Sequence, residues 1–416
     1  MILYNLGIHL FKLGLIIASP FNPKAKLWIQ GRKNWKSKLQ TKVNELGLEN
    51  SIWMHAASLG EFEQGRPVLE QIKKEYPNQK IVLTFFSPSG YEIQKNYPLA
   101  DLVLYLPIDT QPNARKFLSI LKPKVAIFVK YEFWINFLNE LKNKQIPTYL
   151  ISTVIKKHQP FFKWYGWNFR NALQTYHTIY TQDVYSLRLL KILKYERGIL
   201  AGDTRFDRVL QICSSPKQIK EIEDFSKDSF VIVAGSSWQK DEDYLIEAFV
   251  QLKKMHDNLK LIIAPHEIDK KNIDRLSNLL HKHKLPFHLF SQNEPKLKDS
   301  ILIINAIGFL SSIYQYGTVA HIGGGFNNGI HNILEPTVYG LPVLFGPNYQ
   351  KFNEAHQILD LKAGFVFNDV KELTSKLQLL IIDKNALLES SRLSKNYVLK
   401  NSGATLKIVE ELKKYF

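Results

Sequence analysis

The chain has 416 residues, 45% of them hydrophobic and 22% charged, which excludes a small binding module and excludes disorder over most of the length. Lysine and arginine number 55 against 38 acids, a net charge of +17 that favours a polyanion or an anionic surface as partner. The single cysteine, Cys213, excludes an internal disulfide and a multi-cysteine zinc site, and points to a reduced, intracellular-facing setting.

Residues 2–18 are mostly apolar, broken by Asn5, His9 and Lys12. The run is near the lower length limit for a spanning helix. Lys24, Lys26, Arg32, Lys33, Lys36, Lys38 and Lys42 follow it. Basic residues after an apolar run place that side in the cytoplasm and draw it to anionic lipid. No basic stretch precedes the run, and Pro20 and Phe21 stand where small residues are needed, so a cleaved signal peptide is not expected. Residues 1–22 read as a membrane anchor or an interfacial helix.

From residue 51, short β-branched and aromatic runs alternate with helical patterns. Strands are predicted at 52–55, 81–86, 102–106, 125–129, 148–152 and 178–181, with helices such as 67–76 and 114–121 between them. The rhythm pauses at 198–209. It resumes with strands at 230–234, 259–264, 288–290, 301–305, 319–322 and 343–345. Such alternation predicts α/β architecture, with two Rossmann-like parallel-sheet domains facing a cleft lined by strand carboxyl ends. The expected divisions are 23–205, 206–395 and a helical, basic tail at 396–416, a candidate to pack back on the first domain.

Several strand-to-helix loops carry reactive groups. The first strand runs into Ala57, Ser58, Leu59, Gly60 and Glu61. Gly60 is expected to allow a tight bend, and Glu61 is placed to take a proton from a hydroxyl nucleophile. The plainer alternative is an acid favoured by the helix dipole. The fourth strand ends in Lys130, Tyr131, Glu132, Phe133 and Trp134, which puts Glu132 beside Glu61 if the strand order is ordinary. Aromatics around a carboxylate suit sugar stacking or a raised pKa.

The region 319–347 is more specific. A strand runs into Gly323, Gly324 and Gly325, and Gly329 precedes a helix expected near His331 and Asn332. Glycines let backbone approach a phosphate, and a helix N-terminus supplies N–H groups. Glu335, one turn on, suits the two hydroxyls of a ribose. Gly235, Ser236 and Ser237 offer donors to a phosphate or carboxylate, and His266 could touch a base or phosphate. Asp241, Glu242 and Asp243 resemble a metal-holding Asp-x-Asp, but they directly precede a helix and read more simply as capping. No zinc-ligand His pair, G-x-S-x-G or P-loop sequence is present, and no metal site is expected.

These motifs, in this order, resemble the 3-deoxy-D-manno-octulosonic acid (Kdo) transferase family over nearly the whole chain. The resemblance rests on the apolar N-terminus, Ser58-Leu59-Gly60-Glu61, Glu132-Phe133-Trp134, Gly202-Asp203-Thr204-Arg205-Phe206-Asp207, Gly235-Ser236-Ser237 and His331-Asn332-Ile333-Leu334-Glu335-Pro336. It implies a GT-B fold, an acceptor-binding first domain and a second domain that binds CMP-Kdo. It implies inverting, metal-independent transfer of Kdo to a lipid A precursor at the cytoplasmic face of the inner membrane, with no cofactor. By that resemblance Glu61 is the base and Glu132 a second essential carboxylate. Gly235 and Ser236 match the donor loop, and Asn332 and Glu335 the nucleotide-binding helix. The chain departs from the family at His266, where many members have Arg, and at Lys130, Ile135 and Trp238.

Two other readings fit parts of the sequence. Another two-domain sugar-nucleotide enzyme, a UDP-sugar transferase or an epimerase, would take UDP instead of CMP. A basic, membrane-associated nucleic-acid binder without catalysis would satisfy the charge, but no recognition helix, RNP-like strand or arginine-rich arm is present, so nucleic acid is not an expected partner.

Overall fold

The computed structural model describes residues 1–291 and 299–416. The chain divides into two units, Met1–Arg208 with Ser402–Phe416, and Val209–Asn401. The divisions therefore fall after Arg208 and Asn401, where 205 and 395 are the expected positions. The helix Lys384–Asn401 runs through the second expected position without a break.

The first unit is built on β1 (Ile52–Ala56), β2 (Ile81–Phe85), β3 (Leu102–Tyr105), β4 (Val125–Val129), β5 (Thr148–Thr153), β6 (Thr178–Thr181) and β7 (Gly198–Leu200). All pairings are parallel, in the order β3-β2-β1-β4-β5-β6-β7. Both faces are covered, so alternate residues enter different cores. Ile52, Met54 and Ala56 pack on one side, and Trp53 packs with Phe117, Phe128 and Phe137 on the other. Strand β7 escapes the sequence reading because it is a short edge strand whose Ile199 and Leu200 are exposed.

Four helices of this unit matter below: α1 (Ile2–Ala18), α2 (Pro23–Gly31), α3 (Trp35–Leu46) and α4 (Leu59–Glu75). Pro67 lies inside α4. The helix includes most of the helical stretch read from the sequence at 67–76, and it begins at Leu59, so that Glu61 lies at its start as expected.

Helix α1 corrects the spanning form of the N-terminal expectation. Among the described residues no helix is long and apolar enough to cross a membrane. One face of α1 is fastened to the unit. The Tyr4 hydroxyl donates to Asp109 at 2.5 Å, Asn136 Nδ2 donates to Asn5 Oδ1 at 3.0 Å, and Phe11 packs on Phe86 and Trp28. Leu3, Leu6, Leu10, Leu13 and Ile17 share the opposite face and are exposed.

The last fifteen residues belong to the first unit. Ile408, Val409 and Leu412 of the helix Ala404–Leu412 enter the same core as Met54 and Ile127. Asp207 caps that helix, accepting from the N–H of Gly403 at 2.6 Å and of Thr405 at 2.7 Å.

The second unit holds β8 (Phe230–Ser237), β9 (Leu259–Pro265), β10 (Phe287–Leu289), β11 (Ile301–Ile303), β12 (Val319–Ile322), β13 (Val343–Phe345) and β14 (Gly364–Val366). The sheet is again parallel, ordered β10-β11-β9-β8-β12-β13-β14. Each sheet reverses its direction of growth once, between β1 and β4 in one unit and between β8 and β12 in the other. In open parallel sheets, ligands settle in the crevice at the carboxyl ends of the strands flanking such a reversal.

Candidate active site

At the reversal in the first unit, β1 and β4 deliver the two carboxylates singled out from the sequence, but into different surroundings. Ser58 is the N-cap of α4, and Glu61 sits in the first turn. The Ser-x-x-Glu spacing is that of a capping box, yet Ser58 makes no side-chain cap hydrogen bond. Its hydroxyl instead donates to Glu61 Oε2. Glu61 is partly exposed and, among the described residues, has no ion pair. The Tyr131 hydroxyl lies near it. Burial first, then the charges of Glu61 and Asp183, raise the tyrosine pKa. Glu61 is thus a carboxylate held by one neutral donor and open to solvent.

Gly60 does not make the bend expected of it. It lies within α4 without positive φ, and a Cβ there would meet only Ser58 Oγ at 3.9 Å.

Glu132 is buried, with 3% exposure. The Trp134 indole donates to its Oε2, and His55 Nε2 lies 3.3 Å from the same oxygen. The Tyr176 hydroxyl donates to the Glu132 carbonyl. His55 Nδ1 is 3.0 Å from the Thr84 carbonyl and 2.9 Å from the Thr84 hydroxyl. Lys130, just before this turn, has φ 75°, an uncommon conformation for a side chain of that size. His55 is invisible to motif reading because it lies in an otherwise apolar strand.

In the second unit the loops after β8, β9 and β12 come together. Gly323 N–H donates to the Gly235 carbonyl at 2.9 Å, His266 N–H to the Ser237 carbonyl at 2.9 Å, and His331 N–H to the Gly323 carbonyl at 3.1 Å. Ser236 is left-handed at φ 52°. Gly235, Ser236, Ser237, His266, Gly324, Gly325 and His331 are therefore neighbours. The glycines serve backbone packing: a Cβ on Gly323 would collide with the Ser236 carbonyl, one on Gly325 with Gly346 backbone, and one on Gly235 with the Tyr314 hydroxyl. Gly324 has φ 91°, which favours glycine.

Three flat rings stand on these loops. Trp238 and His331 are nearly coplanar, 11° apart, and the indole N–H donates to His331 Nε2 at 3.0 Å. His266 stacks over both, with ring centroids 4.6 Å from Trp238 and 4.5 Å from His331. An indole can only donate, so this His331 is neutral at Nε2. Burial, with His266 adding to it, lowers the His331 pKa.

Asn332 and Glu335 lie differently from expectation. The helix here is only Leu334–Val338, five residues, too short to supply the N-terminus expected to face a phosphate. Asn332 accepts from Leu334 N–H at 3.0 Å and donates to Glu335 Oε1 at 3.1 Å. Burial raises the Glu335 pKa, and its charge reaches Tyr314, the residue packed over Gly235.

Asp241 caps as its position suggested, accepting from Trp238 N–H at 3.0 Å, and it also accepts from Gly324 N–H at 2.9 Å. It is 1% exposed, and burial raises its pKa to about 6. Glu242 accepts from Ser237 at 2.8 Å and from Arg275. Among the described residues no group of three or more His, Cys, Asp or Glu is placed to hold a metal ion.

Two doubly wound parallel sheets, each with polar loops gathered at its reversal point, are the plan of GT-B-type sugar-nucleotide enzymes. Among solved structures, the UDP-GlcNAc 2-epimerase of Neisseria meningitidis superposes with TM-score 0.61 and 15% identity, covering 88% of this chain and 100% of that one. MurG of Acinetobacter baumannii superposes with TM-score 0.54 and 12% identity, covering 88% and 99%. These identities speak for the fold alone.

The family is given by sequence. The model of the 3-deoxy-D-manno-octulosonic-acid transferase (kdotransferase) family matches residues 32–208. The 3-deoxy-D-manno-octulosonic acid transferase of Aquifex aeolicus is 30% identical over 346 residues, 82% of this chain and 89% of that protein. The chain belongs to the Kdo transferase family and is a glycosyltransferase.

Proposed function

We propose that this enzyme moves Kdo from CMP-Kdo to a lipid A precursor, an acylated and phosphorylated glucosamine disaccharide, with inversion and without a metal, at the cytoplasmic face of the inner membrane. The observation that carries the reading is Glu61: a partly exposed carboxylate at the β1–β4 reversal, held among the described residues only by the Ser58 hydroxyl. Such a group is free to accept a proton.

In this reading Glu61 deprotonates the primary hydroxyl of the acceptor as its oxygen attacks the anomeric carbon of Kdo. CMP departs as a phosphate of low basicity, so the bond breaks without a general acid. The second unit receives the donor on the loops after β8 and β12, with His266 offering a flat ring to the cytosine. Glu132 does not touch substrate. Buried against Trp134 and His55, it positions the turn that carries Tyr131. The exposed apolar face of α1 and the net charge of +17 support work at an anionic lipid surface, where an acylated acceptor resides.

The test is incubation with CMP-Kdo, generated in place, and a tetra-acylated lipid A precursor, with and without EDTA, read by mass spectrometry. Addition of one or more Kdo masses in both arms supports the reading. Kdo release without addition to the lipid rejects the acceptor, and loss of product in EDTA rejects metal independence.

A further inference from the structure

Helices α1, α2 and α3 enclose a pocket of about 340 Å³ that none of the residues discussed as catalytic or donor-binding lines. Lys12 enters it from α1, and Arg32, Lys33 and Lys36 from the turn and helix that follow α2, with Trp28 and Trp35 on its apolar wall. None of the lining residues is acidic. Lys12, Lys33 and Lys36 have no ion pair among the described residues; Lys36 has only the Trp35 ring, at 6.0 Å.

Arg32 is fully engaged, but by neutral groups. It donates to the carbonyls of Leu106 at 2.8 Å, Phe86 at 2.7 Å and Trp28 at 3.1 Å, and lies 3.7 Å over the Trp28 ring. Burial lowers its pKa to about 9, so it stays cationic at neutral pH. Asp109, beside the lining residue Ile108, is turned to Tyr4 and to the N–H groups of Asn136 and Phe137. Four positive charges thus surround one half-apolar pocket without a counter-charge, an arrangement that an anion with an apolar tail would complete.

We propose that this pocket binds the phosphate of an acylated amphiphile whose chains lie along the exposed Leu6, Leu10 and Leu13 face of α1. The proposal rests on the reading that the enzyme works at a lipid surface. It is separable from Kdo transfer, because the pocket is probed by binding alone.

The full chain is titrated calorimetrically with dihexanoyl phosphatidic acid below its micelle concentration, with dihexanoyl phosphatidylcholine and inorganic phosphate as comparators. Phosphatidic acid should bind at one site per chain and more tightly than either comparator. Lys12→Ala/Lys33→Ala/Lys36→Ala should weaken it by about fivefold for each lysine removed, with an unchanged melting temperature because all three are exposed. Lys33→Glu/Lys36→Glu should weaken it further. Equal binding of phosphatidic acid and phosphatidylcholine, or wild-type affinity in the triple variant, overturns the proposal. A deacylated bisphosphorylated glucosamine disaccharide then names the source: if it displaces phosphatidic acid the pocket serves the acceptor, and if it does not the pocket serves a bilayer headgroup. Binding that persists in a chain making no Kdo product leaves the pocket standing and removes the transfer reading.

Discussion

The Trp134 indole N–H points at the Glu132 carboxylate two residues before it, and His55 faces the same oxygen from the middle of the adjoining strand β1. In the proposed reading this buried carboxylate holds the turn that carries Tyr131. Glu132→Gln keeps the shape but removes the charge that Trp134 and His55 meet. It should lower stability by about 1–3 kcal/mol and lower turnover with it. Denaturant unfolding alongside kcat and KM checks this. Full stability with turnover abolished would make Glu132 a group that acts on substrate.

Glu61→Gln should behave in the opposite way. The amide still accepts from Ser58 but cannot take a proton. Turnover should fall by about 10²–10⁴-fold, while stability and CMP binding stay near those of the parent. A variant with near-normal turnover would remove Glu61 as the base.

Two glycines near the two sets of loops should part company. Gly60 has open space where a Cβ would go, and it is helical. Gly60→Ala should hold or raise stability, by up to about 1 kcal/mol. Gly323→Ala drives a Cβ into the Ser236 carbonyl and Ser237 backbone. It should cost about 1–3 kcal/mol and weaken CMP binding, because the two loops must separate. Thermal unfolding and nucleotide calorimetry on both variants decide it.

The Trp238–His331 pair should titrate. The His331 pKa is lowered by burial and by His266, so the folded chain takes up this proton less readily than the unfolded chain. The stability this group contributes is present above the ordinary value of 6.5 and is lost as pH falls below it. Protonation at Nε2 also expels the indole N–H. Trp238 is the sole tryptophan of the second unit. The difference in fluorescence between the parent and Trp238→Phe should therefore change below pH 6.5 and not above it. A flat profile would deny the hydrogen bond.

Much of the sheet architecture was legible because buried parallel strands are near-continuous apolar runs: Val125–Val129 and Val319–Ile322 need no context to be found. Strands β7 and β14 were not, being short and partly exposed. Glu61 was legible from its place after a strand. What surrounds the two carboxylates was not, because His55 reaches Glu132 only through the pairing of β1 with β4. The glycine cluster was found, but its glycines press backbone on backbone, a constraint that appears only when the loops after β8, β12 and β13 are brought together. Trp238 stood out merely as a departure from the family pattern, and its partner His331 lies far along the chain.

The core beneath β1 stays unfinished until Ile408, Val409 and Leu412 arrive. Ribosomes deliver chains amino end first, so the first unit to emerge is the last to be complete, and the whole second unit is made in the interval. Messages cut short near their end would therefore injure the opening half of the enzyme, with the nascent chain awaiting its closing helix.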